Sequence, residues 1–127
     1  MSSSKRKKPD PKSRVAIGRS YEKVAARFFV ENGYIICDQN WQAGNREIDI
    51  IVTKGNVVAF VEVKSSANLK FGHPAERIDK RKIANLTKAA QQYLIEKEIT
   101  DCDIRFDVVT FLNGEIEHFP NAFEAAD

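Results

Sequence analysis

Two stretches flank Gly55-Asn56, Ile48–Val52 and Val57–Val63, and each is apolar at consecutive rather than alternate positions. Side chains alternate along a strand. As strands, they place Ile48, Ile50 and Val52 with Ala59, Val61 and Val63 on one face, and Ile51, Val58 and Phe60 on the other. A hairpin apolar on both faces must be covered on both sides. If Gly55-Asn56 is a two-residue turn, Lys54 faces Val57, and further out Asp49 faces Glu62 and Glu47 faces Lys64. Opposed side chains in a hairpin have Cβ atoms about 5 Å apart. Two carboxylates that close repel each other unless a cation lies between them. Alternating charge on a strand ordinarily marks a solvated face. Here the apolar flanks on both faces favour a cleft at one end of a covered sheet. Asp49 with Glu62, Glu47 as a third carboxylate and Lys64 make up a set suited to a metal-dependent phosphodiesterase.

At 127 residues, 43% hydrophobic and 30% charged, the chain has the makings of one domain with an adequate core. Helical spacing predicts a first helix from about Ser13 or Arg14 to Asn32, with Ile17, Tyr21, Val24, Ala25 and Phe28 as its apolar stripe and Gly33 past its end. Glu22 projects at the edge of that stripe, either solvated or reaching the carboxylates. A short strand is expected at Tyr34–Cys37, then a polar connection to Asn45 holding Trp41 and Gly44. A loop follows the hairpin from Ser65 to Ile78, with Gly72, His73 and Pro74. A second helix runs from Asp79, its N-cap, to about Lys97, burying Ile83, Leu86, Ala90, Tyr93 and Leu94. Ile104–Leu112 reads as a strand, Asn113-Gly114 as a hairpin turn, and Glu115–Phe119 as its return. Beyond Pro120 only Phe123 is expected to pack. The resulting class is α/β, a mixed central sheet flanked by helices.

Lys80, Arg81 and Lys82 place three cations in the first turn of the second helix, against its macrodipole. They are either a solvated basic turn or a set of phosphate contacts. Residues 1–14 carry six basic side chains against Asp10, a net of +5, while the other 113 residues carry 14 basic and 17 acidic, a net of −3. Residues 1–14 therefore read as a basic, disordered tail that adds sequence-independent attraction to phosphates, and 15–127 as a single domain. No apolar run is long enough to cross a membrane, and none follows the basic N-terminus as a secretory signal would require. Cys37 and Cys102 form no metal-spacing motif and read as reduced thiols of a cytoplasmic protein. Trp41 reads as packed, and His118 as structural or exposed at a strand end.

Taken in order, Gly18-Arg19-Ser20-Tyr21-Glu22, Asn40-Trp41, Glu47-Ile48-Asp49, Phe60-Val61-Glu62-Val63-Lys64, Phe71-Gly72, Arg105-Phe106-Asp107-Val108-Val109 and Glu117-His118 resemble the PD-(D/E)XK nuclease superfamily. The resemblance is nearer still to the YraN-type family of small bacterial proteins with a Holliday-junction-resolvase-like fold. It implies a restriction-endonuclease-like core and an Mg²⁺- or Mn²⁺-dependent endonuclease acting on DNA, including branched or damaged DNA. The alternative is a catalytically silent nucleic-acid-binding or adaptor module of the same fold. The resemblance implies Asp49 and Glu62 as metal ligands, Lys64 orienting water or phosphate, and Glu22 as a supporting acid, with Glu47 a weaker candidate. Nucleic acid is the implied partner, with a homodimer or a protein partner also open. The chain departs from the family pattern at Arg46, where Gly is typical, and at Ser66, where the family carries a cation.

Overall fold

The computed structural model describes residues 11–65 and 78–127, with the backbone alone for 11–19. The expected loop from Ser66 onward, with Phe71-Gly72, His73 and Pro74, lies outside the described residues, as do residues 1–10 and the Ile17 side chain. The elements are α1 (Pro11–Glu31), β1 (Ile35–Ala43), β2 (Arg46–Lys54), β3 (Val57–Ser65), α2 (Lys80–Glu96), β4 (Asp103–Leu112) and β5 (Glu115–Phe123). The five strands form one sheet in the order β1-β2-β3-β4-β5. All neighbours are antiparallel except β3 and β4, which run parallel. A parallel pair needs a crossover, and α2 lies within it. This mixed α/β sheet is consistent with the restriction-endonuclease-like core expected.

Both faces of the sheet are covered, as the doubly apolar hairpin requires. On one, Ala25, Ala26 and Phe29 of α1 pack on Ile50, Val52, Ala59, Val61, Val109 and Phe111. On the other, Leu86, Ala89, Ala90 and Tyr93 of α2 pack on Ile51, Val58, Phe60 and Phe106. α1 stops where Gly33 takes φ +89°, letting the Tyr34 N–H donate to the Phe29 carbonyl at 2.9 Å. Asp79 caps α2, its carboxylate accepting the Lys82 N–H at 2.8 Å.

Two strands are longer than their sequence suggests. β1 continues through the expected polar connection to Ala43, with an irregular register between Ile36 and Asp38 and a left-handed Asn40 (φ +51°). The bulge breaks the two-residue alternation that marks a strand in sequence. It also directs Asp38 to α2, where it accepts the Tyr93 hydroxyl at 2.8 Å. Trp41 packs edge-on against Tyr93, ring centroids 5.1 Å apart. β5 runs past Pro120 to Phe123, where irregular chain was expected. As the last strand it needs no N–H from the proline on its open side, and Phe123 stacks on Phe106 at 5.2 Å.

Candidate functional site

The hairpin turn at Gly55-Asn56 sets the expected register, from Lys54↔Val57 to Ile50↔Val61, and there the ladder stops. Beyond it the Asp49 carboxylate accepts the Val63 N–H at 2.8 Å. A side chain thus takes an amide of the neighbouring strand, and the two strands part. Ile48 shows the effect: strict alternation puts it with Ile50 towards α1, yet it packs with Ile51 towards α2. Asp49 and Glu62 are therefore near each other without forming the square cross-strand pair that the sequence suggests.

The opening admits groups from both sides of the sheet. Carboxylate oxygens of Glu22 from α1 and of Glu47 and Asp49 from β2 all lie within 4.8 Å of one another, each residue half-buried. Glu22 and Asp49 share a side-chain hydrogen bond. Asp49 sits above the usual carboxylate range because burial penalises its charge and Glu47 repels it, against the stabilising Val63 N–H. Glu62 is pushed up to about 7, by burial first and by Asp49 second, while Lys82 and Lys64 pull it down. Lys82 Nζ is 3.3 Å from the Glu62 carboxylate, whose side chain is only 12% exposed. A cleft of about 270 Å³ opens beside the cluster, lined by Asn45, Arg46, Glu47, Asp49, Lys82, Asn85 and Leu86.

The structure thus reassigns places within the expected set. Glu47, the weaker candidate from sequence, joins Glu22 and Asp49 in the tight cluster. Glu62 stands beside it, in an ion pair with Lys82. Lys64 is half-buried on β3, close enough to act electrostatically on Glu62. The three cations opening α2 are all exposed, and of them Lys82 lines the cleft whereas Lys80 and Arg81 do not. Asn85 escaped sequence reading. It follows Lys82 by three positions and so shares its helix face, and its side-chain oxygen accepts from Arg46 Nε at 3.3 Å.

The cluster fits a small divalent cation. Hard carboxylate oxygens suit Mg²⁺ or Mn²⁺. Metal–oxygen bonds of about 2.1 Å put opposite octahedral ligands about 4.2 Å apart, so three oxygens within 4.8 Å need only small adjustments. Asp49 and Glu62 are raised by burial first and by a neighbouring carboxylate after it, and a cation held between them would lower both.

A second polar cluster lies beyond the opening. Asp107 is fully buried on β4. Its oxygens accept from Arg105 Nε at 2.9 Å and its terminal nitrogen at 2.8 Å, and from the Asn121 N–H at 3.0 Å. His118 Nε2 lies 2.7 Å away, and Arg105 also donates to the Tyr34 hydroxyl at 2.7 Å. Burial pushes Asp107 up, but these hydrogen bonds together hold it below its ordinary value. His118 is wedged against Phe28, Phe29 and Tyr34 and is structural, one of the two readings its sequence allows.

Comparison with known proteins matches residues 21–111 to a family described as uncharacterised protein family UPF0102. That stretch contains every charged residue of the cleft. A UPF0102 protein of Chloroherpeton thalassium is 44% identical over 109 residues, covering 86% of this chain and 83% of its own. One from Persephonella marina is 35% identical over 107 residues, covering 84% and 92%. One from Bacteroides thetaiotaomicron is 36% identical over 111 residues, covering 84% and 91%. With the profile matched across most of the chain and relatives aligned nearly end to end, this protein belongs to the UPF0102 family.

Proposed function

We propose that the opened end of the β2–β3 hairpin is the active site of a divalent-metal-dependent nuclease of the PD-(D/E)XK superfamily, acting on DNA. One observation carries this reading: Glu22, Glu47 and Asp49 converge within 4.8 Å beside Glu62 and Lys64 of the next strand. Glu22, Glu47 and Asp49 would hold Mg²⁺ or Mn²⁺, with Glu62 joining when Lys82 releases it. Such an ion, when bound, makes water more acidic and offsets charge on a phosphate. The chain's own residues supply the rest. The Val63 N–H fixes Asp49, Lys64 holds positive charge beside Glu62 for water or phosphate to meet, and Lys82 and Arg46 are placed to contact phosphate from the cleft wall. Branched or damaged DNA is the substrate class the superfamily likeness favours.

A second reading, a catalytically silent nucleic-acid-binding module, draws on the Lys82–Glu62 pair, which occupies a carboxylate that a metal would otherwise use. Cleavage of linear, nicked and four-way-junction DNA with Mg²⁺ or Mn²⁺ separates the two. Under the nuclease reading, Asp49→Asn and Glu47→Gln abolish cleavage and weaken Mn²⁺ binding, whereas Lys64→Ala abolishes cleavage and keeps the metal. A wild type that binds Mn²⁺ and DNA yet cleaves nothing establishes the silent module. Cleavage surviving in all three variants rules out the cluster as its source.

A further inference from the structure

A second cavity, about 560 Å³, adjoins the cleft and shares Arg46 with it. Its walls are the β1–β2 turn with Gln42, and α2 with Lys88, Gln91, Gln92 and Ile95. Lys82, Asn85, Lys88 and Gln92 recur at three- and four-residue intervals, so they lie in one row along the helix. At 1.5 Å per residue the row extends about 15 Å from the carboxylate cluster. Arg46, held to Asn85, stands where the two cavities meet.

The chemistry of this trough is that of a backbone track rather than a small-molecule pocket. Lys88 and Arg46 are its cations, and Glu96, the one anion among its described lining residues, is engaged by Gln92 Nε2 at 2.7 Å. Gln42, Gln91 and Asn85 offer amides that both donate and accept. Ile95, 71% exposed at the far end, offers an apolar surface to a sugar or a base. The folded body is net acidic, so Arg46 and Lys88, for which no ion pair is seen among the described residues while Lys82 is held by Glu62, make a local reversal of sign beside the acidic cluster.

We infer that this trough is a binding groove for one polynucleotide strand, carrying the strand that flanks the phosphate at the carboxylate cluster, with Arg46 and Lys88 contacting successive phosphates. The inference rests on the nuclease reading and extends it to the path of the substrate. Its test is the affinity of the full chain for fluorescein-labelled single-stranded and duplex 20-mer DNA in Ca²⁺ across a salt series, alongside Mn²⁺ binding. Lys88→Glu is expected to weaken DNA binding about tenfold or more and to lower the salt slope by about one, with Mn²⁺ affinity unchanged. Lys54→Glu, at the opposite end of the hairpin, is the charge-matched control and should change affinity less than twofold. If Lys88→Glu weakens binding no more than Lys54→Glu does, the groove assignment is overturned and the nuclease reading stands. A wild type that loads Mn²⁺ but binds neither DNA overturns both.

Discussion

Glu62 and Lys82 sit 3.3 Å apart, yet their attraction does not win. Burial and Asp49 together hold the Glu62 carboxyl up at about 7 against an ordinary 4.5. An acid with a raised folded pKa carries no penalty where it is protonated in both states. As pH rises from about 4.5 through 7, the unfolded chain ionises first and the fold loses stability. In EDTA, Glu62→Gln should therefore melt several degrees above wild type at about pH 8, with the two converging below 4.5. A variant that melts lower at the higher pH would mean that the Lys82 pair is net stabilising scaffolding. Asp107 has the opposite sign. Its lowered pKa gives stability that is complete above about 3.8 and is lost as pH falls through the folded value. Asp107→Asn leaves Arg105 without its counter-charge and should cost about 3 kcal/mol near neutrality in urea unfolding, with the deficit shrinking in acid.

Three two-residue turns set the strands in register. Gly55 has φ +59° and is followed by Asn56, the type II′ arrangement, whereas Asn113 and Gly114 are both left-handed (φ +52° and +80°), the type I′ arrangement. A Cβ added at Gly55 meets nothing within 4 Å. Gly55→Ala therefore meets no clash and costs only the backbone strain of a positive φ at the first turn position, about 1–3 kcal/mol, read as a lower urea midpoint with an unchanged slope. The turns at Gly55-Asn56 and Asn113-Gly114 were legible in sequence because Gly and Asn mark them locally, and the register of the β2–β3 hairpin followed from the first; the turn at Gly44-Asn45 was hidden inside what reads as a polar connection. The strand ends were not. β1 outran its forecast because a bulge scrambles the alternation, and β5 because Pro120 ends a strand only where its N–H is needed. The parting of β2 and β3 was hidden for a third reason: the Asp49 side chain takes the amide that register alone would assign to backbone pairing.

The sheet covered on both faces could be read from the hairpin alone, since neither of its faces is polar enough for water. The composition of the cleft could be read only in part: Glu22 and Lys82 stand out as candidates, but the sequence leaves open whether either reaches the carboxylates. Glu22 and Lys82 are separated from the hairpin by long stretches of chain, and periodicity within an element carries no information on which of its edge residues meets another element. The spatial order of the strands repeats their order along the chain, so three of the four neighbouring pairs close across two residues and only β3–β4 spans a crossover. This has a kinetic consequence. Loop-closure entropy is met before a distant pairing is rewarded, so the β3–β4 seam is the slow encounter in folding. Val61→Ala, at the seam beside Asp107, should slow refolding in stopped-flow chevrons. Ile36→Val, on edge strand β1, should instead speed unfolding and leave the refolding rate nearly untouched. The time this protein takes to fold is set at one junction in the middle of its sheet, while how long it stays folded is governed at its rims.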